Sequence, residues 1–170
     1  MTRVKTILDV VLKTICVGLF ALLVLLVSWQ VVTRLVLNDP SIWTEEAARY
    51  TFIWLSLIGI SIATGERADV AIEYFVQKAP LAWQRWIELT AYAATLSFAG
   101  FVMIWGGYLN SSLAWTQRNP VLPVNAGVLY LAVPVAGVLF AFYLIYHLVR
   151  TLSPSYAGIE VIAPEDEVEI

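Results

Sequence analysis

In 170 residues the chain offers one histidine and one cysteine. A membrane haem held by paired axial histidines, or a His/Cys metal cluster, needs several such ligands. His147 and Cys16 cannot supply either, and a single cysteine forms no disulfide within the chain. His147, near the end of an apolar stretch, reads as a boundary residue rather than a ligand. Cys16, inside another such stretch, reads as a small hydrophobe. No phosphate-cradling loop, no nucleophile beside a base and no pair of buried carboxylates stands out. Catalytic, cofactor and metal sites are therefore not expected, and the chain does not read as an enzyme. One charged group does have useful spacing. Glu45 and Arg49 are four apart and Glu46 and Arg49 three apart, so on a helix either carboxylate reaches the guanidinium. Two readings stay open: a stabilised helix start at the membrane surface, or a pairing that docks this loop on a partner protein.

The elements that would position these residues are set by where charge is missing. The chain is 60% hydrophobic and 14% charged, against about 45–50% and about 25% in soluble domains. A soluble fold of this length would need a charged shell that so few residues cannot form, and a broad basic face for nucleic acid is excluded in the same way. Charge is absent from Thr14 to Thr33, Tyr50 to Gly65, Leu89 to Gln117 and Asn119 to Val149. A spanning helix needs about 20 apolar residues. The second stretch becomes long enough from Thr44 if Arg49 snorkels to the headgroups. An all-α integral membrane fold with four transmembrane helices follows, spanning about 14–35, 44–65, 86–116 and 124–150. The first apolar run exceeds a signal-peptide core of about 7–15 residues and lacks a small-x-small cleavage pattern, so it is expected to be retained.

Lys and Arg stay preferentially on the cytoplasmic side. Four spans collect seven bases on the side of the N-terminus, second loop and tail, and three on the other (Arg34, Arg49 and Arg118). The N- and C-termini are therefore expected in the cytoplasm of a bacterial inner membrane. Trp43, Trp83, Trp86 and Trp115 fall where interfacial aromatic belts lie. Asp39 before Pro40 predicts the start of the second helix, with Asp39 as cap. Between the second and third spans, Asp69 to Glu88 predicts a short cytoplasmic amphipathic helix ending near Ala79, then a third span opening at the membrane surface with Leu81 to Glu88. The net charge of −3 belongs to the end of the chain, since residues 1–159 hold ten bases and eight acids. Residues 160–170 read as an acidic, disordered cytoplasmic tail.

The four charge-free stretches also bear on transport. A carrier exposes ionisable residues or broken helices near the midplane, and these stretches supply no Asp, Glu, Lys or Arg. Gly106-Gly107 is expected to loosen the third helix, and Pro134 to kink the fourth by leaving the carbonyl near Tyr130 without its donor. Small residues at four-residue spacing, Gly59 and Ala63, Ser61 and Gly65, Gly137 and Ala141, suit close helix packing within the chain or against a larger membrane protein. An accessory subunit fits this content best. A stand-alone small carrier would need an embedded carboxylate, and a membrane anchor of an enzyme complex is the third class.

The segment Ile42-Trp-Thr-Glu-Glu-Ala-Ala-Arg-Tyr-Thr-Phe-Ile-Trp-Leu-Ser-Leu-Ile-Gly59 resembles the hallmark of the small membrane (Q) subunit of TRAP transporters, the tripartite ATP-independent periplasmic carriers. Trp43, Glu45, Glu46, Arg49 and Gly59 carry the match. Arg34 with Asn38, and Asn119-Pro120-Val-Leu-Pro123 followed by Tyr130 and Pro134, also fit the family's pattern. The resemblance covers nearly the whole chain outside the acidic tail. It implies a non-catalytic subunit of a secondary-active, Na+-coupled uptake system for organic acids of the dicarboxylate or sialic acid type. The implied partners are a large multi-span permease (M), which this chain would scaffold, a periplasmic substrate-binding protein (P), and membrane lipid. Trp43, Glu45, Glu46, Arg49, Gly59, Asn119 and Pro120 become the interface candidates, with Trp83, Trp86 and Trp115 as interfacial anchors. The acidic end at Ile170 suggests that small and large subunits are separate chains.

Overall fold

The computed structural model describes residues 2–66 and 80–152. The expected amphipathic helix ending near Ala79 and the acidic tail lie outside the described residues. Among the described residues there are six α-helices and one π-helical segment: α1 (Thr2–Leu35), α2 (Ile42–Gly65), α3 (Leu81–Phe98), the π segment (Ala99–Gly106), α4 (Gly107–Ala114), α5 (Ala126–Tyr130) and α6 (Ala132–Leu152). Together they make four membrane-length units, Lys5–Leu35, Ile42–Gly65, Trp83–Ala114 and Ala126–Val149.

The first unit is longer than its apolar run. Helix α1 has 34 residues, about 51 Å at 1.5 Å per residue, against a hydrocarbon core of about 30 Å. Its first turns carry Lys5, Asp9 and Lys13 on one face. Lys5 Nζ lies 2.8 Å from Asp9 Oδ2, and Lys13 pairs with Glu66, one residue beyond the end of α2. That pair marks where the apolar part of both helices stops, just before Thr14.

The expected start of α2 needs correction. Asp39 and Pro40 stand outside the helix, which begins at Ile42 with Ser41 as its cap residue. Asn38 takes a left-handed conformation (φ 52°), and the Asp39 amide then turns back to the Thr33 carbonyl at 3.1 Å. The Asp39 amide thus closes the end of α1, two residues before the cap position of α2. Thr44, fully buried, donates its hydroxyl to the Ser41 carbonyl at 2.7 Å and tightens the first turn of α2.

The other two units are irregular where glycine and proline predict it. The third winds as a π-helix up to Gly106 and returns to α geometry at Gly107. The fourth breaks at Leu131, between α5 and α6. Pro134 has no N–H for the Tyr130 carbonyl, while Leu131 and Val135 keep their bonds to Gly127 O (2.9 Å) and Leu131 O (3.2 Å). Gly107 fits this break: a Cβ there would lie 2.8 Å from Pro134 Cδ.

The units form an open row, with α1 on α2, α2 on α6, and α6 on the third unit. Helices α2 and α3 follow each other in sequence but do not pack together among the described residues, because α6 lies between them. The row is joined by close approach and by polar contacts, since burial away from lipid supplies no hydrophobic drive between membrane helices. At the α2–α6 contact, Ser61 Oγ–H is shared between Leu57 O (3.1 Å) and Ala136 O (3.3 Å). At the α6–third unit contact, a Cβ on Gly137 would meet Met103 Cβ at 2.8 Å. Replacing Ser61 with Ala is expected to lower the stability of the detergent-solubilised chain by about 0.5–1 kcal/mol, read as an earlier midpoint in thermal unfolding.

Fully buried Tyr143 is the main junction. Its ring lies on Gly65, and it joins Leu12 of α1 and Ile58 of α2 in one buried cluster. Its hydroxyl donates to Asp9 Oδ1 at 2.5 Å, a side-chain bridge from α6 across α2 to α1.

Candidate docking surface

On the side of the helices away from the N-terminus, the first turns of α2 lie beside the α4–α5 loop. On the first turns of α2, Arg49 Nη1 lies 3.1 Å from Glu46 Oε1 and Arg49 Nη2 lies 3.7 Å from Glu45 Oε1. Both expected pairs therefore form, with Glu46 the closer and less exposed partner. Trp43 and Ile42 are exposed beside them.

Asn119 joins this group to the α4–α5 loop. Its Nδ2 donates to Glu46 Oε2 at 3.4 Å and to the Tyr50 hydroxyl oxygen. Its Oδ1 accepts the amides of Val121 (2.8 Å) and Leu122 (3.0 Å). The asparagine thus closes a local turn with one end of its amide and ties the turn to α2 with the other. Pro120, whose ring fixes φ, suits the residue inside that turn. Arg118 and Asn125 face each other in an isolated antiparallel bridge. Around it the Asn119 amide reaches Val124 O at 3.1 Å and the Ala126 amide reaches Gln117 O at 2.8 Å. The loop is closed at its neck and anchored at its side.

A model of the family described as the tripartite ATP-independent periplasmic transporters, DctQ component, matches residues 23–153. That stretch holds the α2 hallmark, the Asn119 turn and all four apolar units except the start of α1. The chain belongs to this family. It is 33% identical over 135 residues to the sialic acid TRAP transporter small permease protein SiaQ of Vibrio cholerae, covering 76% of this chain and 75% of that one. It is 29% identical over 147 residues to a putative TRAP transporter small permease protein of Haemophilus influenzae, covering 86% and 91%. It is 28% identical over 112 residues to the isethionate TRAP transporter permease protein DctMQ of Oleidesulfovibrio alaskensis, covering 64% of this chain and 17% of that one. The family and the four apolar units make this DctQ-family chain a multi-pass protein of the inner membrane and a transport component.

Within this small permease component, Trp43, Glu45, Glu46, Arg49, Asn119 and Pro120 come together at one end. Gly59 stands apart, farther along α2, with nothing within 4 Å of where its Cβ would be. Trp83 and Trp86 are exposed at the start of α3. Trp115 does more, since a Cβ on Gly127 would lie 2.6 Å from its ring, so it also covers the start of α5.

Several polar groups go beyond the sequence reading. Tyr50 belongs to the Asn119 cluster, and its signal is the four-residue step from Glu46. Glu88, expected at the membrane surface, is buried, and its Oε2 accepts the Thr151 hydroxyl at 3.2 Å. Helix α6 runs on to Leu152, so its last turn covers Glu88. His147 is likewise buried, stacked with Tyr92 at a centroid distance of 6.3 Å. Among the described residues, no three His, Cys, Asp or Glu side chains gather as a metal site.

Proposed function

We propose that this chain is the scaffold of its transporter: it holds the large permease in the bilayer and presents the Trp43–Arg49 and Asn119 cluster to the periplasmic substrate-binding protein. The observation that carries the reading is the Asn119 linkage, which fixes a charged, exposed surface at one end of an open row of apolar helices. In this reading the N- and C-termini face the cytoplasm, as the seven-to-three division of bases favours, and the cluster faces the periplasm. Residues 1–159 form the membrane domain, with residues 160–170 as a solvated acidic tail. The open row leaves apolar flanks for a second membrane protein and for lipid. Coupling to Na+ belongs to the large permease, because the charge-free middles of these helices offer no ion ligands of the usual kind. Relatives named for sialic acid and isethionate support an organic acid as the substrate class.

The test is reconstitution. This chain and the large permease should copurify and take up substrate only with the loaded binding protein present. Transport by this chain alone in liposomes would overturn the scaffold reading. Arg49→Ala should raise the half-saturating concentration of the binding protein about two- to fivefold, as removal of exposed ion pairs implies, and leave substrate binding to the free binding protein unchanged. An unaltered uptake curve would remove the docking role of Arg49.

A further inference from the structure

The α4–α5 loop forms a half-open cavity of about 350 Å³ lined by Arg118, Asn119, Leu122, Pro123, Val124 and Asn125. Ligand cavities begin at about 300 Å³, so this one has room for a single side chain. The loop's amides are mostly committed within it: Val121 and Leu122 to Asn119 Oδ1, and Asn119, Val124 and Ala126 to loop carbonyls. The Asn119 carboxamide is taken up by the turn and by α2. The lining residues whose side chains keep polar capacity are therefore Arg118 and Asn125. Among the described residues Arg118 forms no ion pair, while Arg49 at the same end is matched by Glu45 and Glu46. No acid lines the cavity. It is a notch with one arginine and no acid, in a loop closed by its own hydrogen bonds.

We propose that the Arg118–Asn125 cavity receives an aspartate or glutamate side chain from the docking face of the periplasmic binding protein. The proposal rests on the docking reading above and specifies its chemistry. A guanidinium presents a planar fork that binds a carboxylate through two parallel bonds. The Asn125 amide can donate a further bond, and Leu122, Pro123 and Val124 shield the pair from water. A preformed loop also avoids the ordering cost that a mobile one would incur on association.

The experiment uses the complete transporter in proteoliposomes, with uptake measured against the concentration of its own loaded binding protein. Arg118→Glu should raise the half-saturating concentration about tenfold, more than any change in maximal rate. Arg118→Lys should fall between, because it keeps the charge and loses the fork. Changing acids of the binding protein's docking face one at a time to Arg should identify one that restores coupling to Arg118→Glu. Arg34→Glu makes the same charge change on the same side of the helices, away from the cavity, and should shift the curve less than twofold. An equal loss in Arg34→Glu would reduce the effect to general surface charge and overturn the pocket. An unchanged curve for Arg118→Glu, with Arg49→Ala and Asn119→Ala impaired, would overturn the pocket and leave docking standing. Unchanged curves for all three would overturn docking itself. A rise in the half-saturating substrate concentration at excess binding protein would assign the cavity to the substrate's own carboxylate and overturn the proposal.

Discussion

Gly65→Ala is expected to destabilise the chain by about 1–3 kcal/mol, the usual range for overpacking a filled site. The added methyl would lie 2.6 Å from Tyr143 Cε1 and 2.7 Å from Cδ1. The ring has little room to yield, because Tyr143 is fully buried and its hydroxyl is held by Asp9 at 2.5 Å. Asp9 is in turn held by Lys5 at 2.8 Å. The clash therefore reaches α1, α2 and α6 together. Thermal unfolding of the purified chain in detergent should show it, at about 2–4 °C per kcal/mol for a chain of this size. Gly59→Ala on the same helix, where nothing lies within 4 Å, should change stability by less than about 0.5 kcal/mol. Tyr143→Leu should remove part of the penalty of Gly65→Ala in a double-mutant cycle. Equal midpoints for the Gly59 and Gly65 variants would show that Tyr143 is not the close neighbour of Gly65.

Asn119→Ala should have the larger local effect and a smaller global one. It removes the acceptor of the Val121 and Leu122 amides and both donors to α2. Losing such bonds costs about 2–3 kcal/mol in sum, felt mainly as local opening of the α4–α5 loop. Amide exchange at Val121 and Leu122 should accelerate about 30–150-fold, the factor that corresponds to this energy. Exchange in α2 beyond Tyr50 should stay near the parent rate. Asn119→Asp separates the two roles of the side chain. It keeps the acceptor for the loop amides but sets a carboxylate beside Glu46, so the turn should persist while its tie to α2 weakens. Slow exchange at Val121 and Leu122 in the alanine variant would place the turn's stability elsewhere, in the Arg118–Asn125 neck.

These two sites were unequally legible in the sequence. Four apolar units and their approximate ends follow from the charge-free stretches, because a hydrocarbon layer excludes isolated charge whatever the packing. The Glu45, Glu46 and Arg49 pairing follows from helical spacing alone. Pro134 also marks its irregularity, since it removes a backbone donor, and Gly106-Gly107 marks where the π segment ends. Tertiary partners were less accessible. Nothing near Asn119 indicates that its amide would reach back to Glu46 and Tyr50, because that contact depends on the row order, with α6 between α2 and α3. Burial of Glu88 and His147 depends on the same order and on how far α6 extends. Asp39 misled for a related reason: Asp before Pro reads as a helix cap, but an amide closing onto the preceding helix competes for the same residue. Asp9 had a visible sign in the lysines four residues to either side, although its second partner, Tyr143, is remote in sequence.

The π segment has a consequence for the phase of the third unit. Thr95, Ala99, Met103, Gly107 and Ser111 recur every fourth residue, and the last three of them meet α5 or α6: Met103 beneath Gly137, Gly107 against Pro134, and Ser111 Oγ–H on Gly127 O at 3.0 Å. An α-helix turns about 100° per residue, so each step of four overshoots a full turn by about 40°. Four such steps would carry Ser111 about 160° around the axis from Thr95 and point it away from its neighbour. Wider π turns absorb that drift, since their bonds run from residue i to i+5. The unit thereby keeps Met103, Gly107 and Ser111 together on the face that meets the fourth unit.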